Sequence, residues 1–375
     1  MRRLKVAIVT PNHLSARRGG AEFQTEQIAR ALAAYPEVEV FFLAKRIQPL
    51  QSSEHYDLVD VGCRWPIPAA RGTMLDASNL WLALARLQPD VIYQRVACTY
   101  TAVAAAYARR RACRLVWHIA HDFDVTPGRF AGDATGPRVA LEKRLAERAI
   151  RQATAIIAQT RSQAALLSRH YARPDAIVIP NGHPVPTEQS EWSDRKRVLW
   201  VANLKRWKRP ELFVQLAQRF KDDRRLDFVM VGKPSPDRDW HQRIADAVAE
   251  TPNLTYTGEC PAEEVNRFLA RAFLFVNTSE AEGFPNTFIQ AWMRGVPVLS
   301  MNCDPDGTLS NGETGFLAPT LDALAERAAS FAGDRAQWEA FKAAAREHAV
   351  ARYSPANFSR VADLVMSTGR SPHVA

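Results

Sequence analysis

The strongest constraint on the fold is an alternation of short apolar runs with helical patterns, completed once, interrupted, and begun again. Strands are expected at 6–10, 38–43, 57–61, 90–93, 114–119, 154–158 and 176–179. Helices are expected between them, near 21–34, 76–87, 99–110, 138–152 and 160–170. Strands separated by helices of this length form parallel sheets from βαβ units. The interruption is Ile179-Pro-Asn-Gly-His-Pro-Val-Pro and a polar stretch to Lys196, too rich in Pro and Gly for regular structure and suited to a domain linker. The alternation then restarts with strands at 197–201, 226–231, 253–256, 272–276 and 297–300. Its helices are expected at 210–220, 238–250, 261–270, 320–331, 335–350 and 355–368, with a Gly-containing turn at 311–316. A chain of 375 residues accommodates two such domains, and open α/β sheets bind ligands at the carboxyl ends of their strands.

Charge divides unevenly between the halves. Residues 1–183 carry 25 Lys and Arg against 15 Asp and Glu; residues 184–375 carry 24 against 25. A basic first half suggests an anionic partner such as a membrane surface, a lipid diphosphate or nucleic acid, or else a solubilising face. Its clusters are Arg17-Arg18, Arg109-Arg110-Arg111 with Arg114, and the helix 138–151. In that helix Glu142 and Glu147 can pair internally. No run of eighteen apolar residues predicts a membrane span, and the short apolar start reads as a first strand rather than a signal peptide. Cys63, Cys98, Cys113, Cys260 and Cys303 are scattered and odd in number, which points to a reduced, cytoplasmic chain without structural zinc or a disulfide framework.

The most informative segment for function is 279–295, Ser-Glu-Ala-Glu-Gly-Phe-Pro-Asn-Thr-Phe-Ile-Gln-Ala-Trp-Met-Arg-Gly. Glu282 precedes a Gly283-Phe284-Pro285 turn, and Pro285 suits the first turn of a helix closed by Arg294 and Gly295. A helix start just after a carboxylate offers backbone N–H groups to phosphate and an acceptor to sugar hydroxyls. The apolar residues of the segment, Phe284, Phe288, Ile289, Trp292 and Met293, also suit simple core packing.

This run resembles the donor-site signature of retaining glycosyltransferases of family four, in which a Glu is followed after seven residues by a second Glu. Here Glu282 matches the first, and Gln290 stands at the second. The resemblance implies the GT-B fold: α/β, two Rossmann-like domains facing a central cleft. The implied boundaries are an acceptor-side domain at 1–183, a nucleotide-sugar domain at 184–354, and a C-terminal helix in 355–375 packing back on the first domain. The donor-binding residues it implies in this segment are Gly283, Phe284, Pro285, Asn286, Thr287 and Gln290, beside Glu282. In the family the second Glu holds the nucleotide ribose; Gln290 has one acceptor oxygen where Glu has two, so that grip is weakened.

Other segments add to this. Gly19-Gly20-Ala21-Glu22 follows the first strand and opens a helix. From the residues alone it is a tight turn or a ligand loop; the resemblance implies a loop beside the donor phosphate and the acceptor. Lys205-Arg206-Trp207-Lys208-Arg209 follows strand 197–201 and can neutralise a departing diphosphate. Family members use an Arg and a Lys five apart there. Lys208 fits the Lys, Asn203 stands at the Arg position, and Lys205 or Arg206 can substitute. At the end of strand 114–119 the resemblance implies a His near the transferred sugar; His121 fits, whereas His118 reads as a wall or core residue. Asp122-Phe-Asp124 spells the DxD of metal-dependent glycosyltransferases, a short motif also found at Asp237/Asp239 and Asp304/Asp306.

The expectation is a metal-independent, retaining transfer from a nucleotide-diphosphate-sugar to an acceptor hydroxyl. Glu282, His121 and Lys208 are its catalytic candidates, and no resident cofactor is expected. The acceptor is expected to be a glycan or lipid-linked intermediate, met by a cytoplasmic protein at the inner face of an anionic membrane, with no nucleic-acid partner. A nucleotide-sugar 2-epimerase and a non-catalytic nucleotide-sugar binder are the alternatives.

Overall fold

The apolar run Leu4–Asn12 forms β1, whose residues Val6 to Val9 are wholly buried. A strand apolar on both faces must be covered on both faces. In this computed structural model, which describes residues 2–16, 19–45, 53–63, 74–128, 136–310 and 312–370, two clusters do so. The chain divides into two compact units, Met1–Gly182 with Pro355–Ala375, and His183–Ser354.

In the first unit, β1 is followed by α1 (Gly20–Ala33), β2 (Val38–Lys45), β3 (Asp57–Asp60), α2 (Ala77–Leu87) and β4 (Val91–Arg95). Then come α3 (Thr99–Arg110), β5 (Arg114–His118), α4 (Pro137–Ile150), β6 (Ala155–Ala158), α5 (Arg161–Tyr171) and β7 (Ile177–Val178). The sheet is parallel throughout, in the order β3-β2-β1-β4-β5-β6-β7. Ala7 and Val9 pack into a cluster with residues of α2 to α5. Val6 and Ile8 pack on the other face with Ile28, Ala29 and Leu32 of α1.

The second unit repeats the plan. It contains β8 (Lys196–Val201), α6 (Pro210–Arg219), β9 (Leu226–Val231), α7 (Arg238–Ala249), β10 (Leu254–Tyr256), α8 (Ala262–Ala270) and β11 (Leu274–Asn277). These lead to α9 (Asn286–Trp292), β12 (Val298–Ser300), β13 (Gly315–Leu317), α10 (Leu321–Gly333) and α11 (Arg335–Tyr353). The parallel order is β10-β9-β8-β11-β12-β13. Each sheet therefore changes direction of winding once, at β1/β4 and at β8/β11, and in open sheets of this kind ligands generally bind beside the loops that leave such strands. The last helix, α12 (Ala356–Arg370), returns to the first unit, where Phe358, Val361, Ala362, Val365 and Met366 join the cluster containing Val6 and Ile8.

Two local expectations need correction. The segment expected as a turn at 311–316 supplies an edge strand, β13, with Gly315 opposite Val298. Its φ is +149°, and a Cβ there would stand 1.8 Å from the Val298 carbonyl oxygen, so the glycine permits close strand pairing. Asn311 lies outside the described residues, as does the Arg17-Arg18 cluster. Pro285 caps α9 from outside instead of occupying its first turn. The helix closes as a Schellman turn: Gly295, at φ +72°, donates to Trp292 O (2.8 Å), and Val296 N donates to Ala291 O (2.9 Å).

Candidate functional site

In the second unit, the loops after β8 and β11 emerge side by side at the switch point and are laced together. Trp200 Nε1 donates to Thr278 Oγ1 (3.0 Å), Thr278 Oγ1 donates to Lys208 O (2.7 Å), and Glu280 N donates to Trp207 O (2.9 Å). These bonds bring together the two residues that the sequence singled out most strongly. The Lys208 ammonium forms an ion pair with the Glu282 carboxylate, and the Ser279 hydroxyl donates to the same oxygen of Glu282 (2.7 Å). The Lys208 and Glu282 side chains are 15% and 10% exposed. Lys208 Nζ also lies 4.1 Å from the centroid of the Trp207 ring, so the cation sits between a carboxylate and an indole face.

The other basic residues of this loop are placed differently. Arg206 donates to Asp237 (2.7 Å), the N-cap of α7, and its guanidinium lies over Trp240. Lys205 Nζ stands 5.4 Å from the Trp207 ring centroid. Asn203 Oδ1 accepts from Lys233 N (3.4 Å). Arg209, at φ +51°, turns the chain into Pro210 at the head of α6.

Past Glu282, Gly283 is half-buried and Phe284 turns into the core, 4.9 Å from Tyr353 and 6.3 Å from Trp292 between ring centroids. Pro285 is buried, while Asn286, Thr287 and Gln290 are half-buried along α9. The Gln290 carbonyl accepts from Arg294 Nη1 (3.1 Å). Beneath the loop, Asn277, Thr278 and Ser279 are all buried. Asn277 and Ser279 bond to each other, and Asn302 donates to Ser279 O. Sequence reasoning passed over this support, although three polar residues ending an apolar strand were its visible signal.

In the first unit, Gly19 is the N-cap of α1 and Gly20 its first residue. Gln24 ties the helix to the unit's edge, donating to Gly182 O (2.7 Å) and accepting from Gly182 N (3.2 Å). A further cluster adjoins the loop before Gly19. His13 Nε2 lies 2.9 Å from Tyr56 Oη and 3.3 Å from Glu26, Tyr56 donates to Glu26, and Arg30 donates to its other oxygen (2.8 Å). Burial alone would raise the Glu26 pKa, but hydrogen bonds from His13, Tyr56 and Arg30 outweigh it and bring it to about 2.

His121 leads a 3-10 turn, Asp122–Asp124. Its Nδ1 accepts from Phe123 N (3.1 Å), so the neutral ring carries its proton on Nε2. The ring stacks on Phe123 at 4.4 Å. Asp124 accepts from Ala120 N (2.9 Å) and His121 N (3.0 Å), and Asp122 accepts from Gln163 (3.0 Å). These carboxylates thus organise the loop that presents His121. Asp304 does the same for Leu309 N (2.7 Å) and Ser310 N (3.0 Å). Among the described residues, no group of three His, Cys, Asp or Glu side chains is arranged to hold a metal. His118 is a core residue, 2.7 Å from Tyr93 Oη; burial first, and then Arg95, push its pKa well below the usual histidine value.

Two parallel, Rossmann-like sheets, the second with a Lys–Glu pair at its switch point, define a protein of the GT-B class. The family profile described as glycosyl transferases group 1 matches residues 195–334, and that of the glycosyl transferase 4-like domain matches residues 19–182. The chain belongs to the group 1 glycosyltransferases. Among solved structures it is similar to sucrose-phosphate synthase from Thermosynechococcus elongatus, with a TM-score of 0.79 at 19% identity over 97% of this chain and 99% of that one. HepE of Anabaena, solved with UDP and glucose, gives a TM-score of 0.78 at 16% identity over 98% and 100% of the two chains. WaaG, a glycosyltransferase involved in lipopolysaccharide biosynthesis, gives 0.70 at 16% identity over 96% and 99%. No curated protein sequence matches significantly. Among the described residues, no helix is long and apolar enough to cross a membrane.

Proposed function

We propose that this glycosyltransferase moves a sugar from a nucleotide-diphosphate donor to an acceptor hydroxyl with retention of anomeric configuration and without a metal. The observation that carries this reading is the Lys208–Glu282 pair at the β8/β11 switch point. When a donor arrives, its diphosphate takes the Lys208 ammonium, and Glu282, released from the cation, accepts hydrogen bonds from the sugar. As the anomeric C–O bond breaks, negative charge grows on the diphosphate. Lys208, with Lys205 nearby and the amino end of α9, stabilises that charge. Gln290 holds a ribose hydroxyl. On the first unit, His121 and the Gly19-Gly20 loop are proposed to line the sugar and acceptor side. Arg206 gives weaker help, because it must first leave Asp237.

Retention is proposed from the family membership, and metal independence from the cations of the 205–209 loop. A uridine donor is the first to test, since HepE was solved with UDP. Thermal stabilisation by one nucleotide-sugar among UDP-, GDP- and ADP-sugars, unchanged by EDTA, supports the reading; strict metal dependence of that binding would overturn the metal-free part of it.

The acceptor is proposed to be a glycan or lipid-linked intermediate, met at the cytoplasmic face of a membrane. Support comes from the basic excess of residues 1–183 and the likeness to WaaG. Vesicles containing anionic lipid should bind the protein at low salt, and equal binding to neutral vesicles would sink this part.

A further inference from the structure

Far from the donor loops, a pocket of about 130 Å³ is lined by Arg197, Glu264, Arg267, Phe268 and Arg271. Arg197 is the second residue of β8, whereas Lys208 follows the end of that strand. The pocket therefore sits by the amino end of this central strand, at least ~13 Å along the strand from its carboxyl end. Residues 264, 267, 268 and 271 recur at helical spacing along one face of α8 and its C-cap.

The charges here are uncompensated. Among the described residues, none of the four charged side chains makes an ion pair, and the buried Nε of Arg197 has no hydrogen-bond partner. Neighbouring arginines differ: Arg195 pairs with Asp227, and Arg225 with Asp223. Phe268 lies 6.0 Å from the Arg197 guanidinium. Three guanidiniums and one carboxylate leave two positive charges around a space of roughly four water volumes. A tetrahedral dianion has that charge and that size, and guanidinium forks match its oxygens. The carboxyl end of α8 opposes an anion, so the arginines must carry the site.

We propose that this pocket is a second anion site, separate from the donor site, which holds the dianionic phosphate group of a monoester. A soluble phosphate ester and a lipid headgroup present the same chemistry.

The test is calorimetric titration of the full-length protein with inorganic phosphate and glycerol 3-phosphate at fixed ionic strength, set beside vesicles with and without phosphatidic acid. Binding should persist in Lys208→Ala, weaken ~10-fold or more in the Arg267→Ala/Arg271→Ala double variant, and strengthen severalfold in Glu264→Gln. Glu264→Gln guards against a merely unfolded variant, because only a folded pocket gains affinity. Preference for the vesicles identifies a lipid headgroup; preference for the soluble ester identifies a free ligand. Equal binding of chloride, loss of phosphate binding in Lys208→Ala, or no gain from Glu264→Gln would overturn the proposal.

Discussion

Lys208→Ala and Glu282→Gln should have opposite effects on nucleotide binding, although each breaks the same ion pair. Removing one member of a fully buried pair costs about 3–5 kcal/mol, and of an exposed pair about 0–1 kcal/mol. With side chains 15% and 10% exposed, this pair lies between, at about 2 kcal/mol of stability in Lys208→Ala. Glu282 would then keep only the Ser279 hydroxyl among the partners described above. On the proposed exchange, a diphosphate takes Lys208 from Glu282 in the wild type. Glu282→Gln removes the competing charge and should tighten UDP binding by ~5-fold, about 1 kcal/mol. Turnover should still fall about 10- to 100-fold, because a charge-assisted contact to the donor sugar is lost. Lys208→Ala should weaken UDP and lower kcat by about 100- to 1000-fold. Calorimetry with UDP and initial rates with the matching donor read both effects. If the two variants weaken UDP alike, the pair is a structural clasp and the exchange of partners is refuted.

Two further outcomes are expected. His121→Ala should lower kcat by about 10- to 100-fold while leaving UDP affinity unchanged, since the proposed nucleotide site lies in the other unit; a parallel loss of UDP binding would contradict this assignment. Glu26 should make stability acid-sensitive. Its folded pKa of about 2 lies below its unfolded value, so its contribution is complete above pH ~4.5 and is lost as pH falls towards 2. Allowing for solvent screening, about 2 kcal/mol should separate the wild type from Glu26→Gln at pH 6, and the gap should narrow by pH 3.5 in urea denaturation. A gap independent of pH would refute the network.

The two-domain plan of parallel sheets was legible because alternating strand and helix patterns survive in the sequence wherever both faces of a strand are buried, as in β1. The strand β13 was not, since Gly315 reads as a turn residue until the Val298 carbonyl is seen against it. Glu282 and Lys208 were each legible from local motif. Their direct contact spans 74 positions and depends on Trp200 and Thr278 joining two loops. The basic run at 205–209 suggested several phosphate ligands, yet Arg206 is drawn to Asp237, a helix cap 31 positions away. His13, Tyr56 and Glu26 come from separate segments, and no local pattern announces that they meet. Local chemistry can be read along the chain; which charges compensate one another is decided by tertiary packing.

Metal-free transfer with retention is tested most directly by NMR of the product formed from the stabilising nucleotide-sugar and a hydroxyl acceptor, in the presence of EDTA. The expected product is a glycoside with the donor's own anomeric configuration, formed at an unchanged rate and lost in Lys208→Ala. An inverted anomer, an epimerised donor without transfer, or full activity in Lys208→Ala would contradict it.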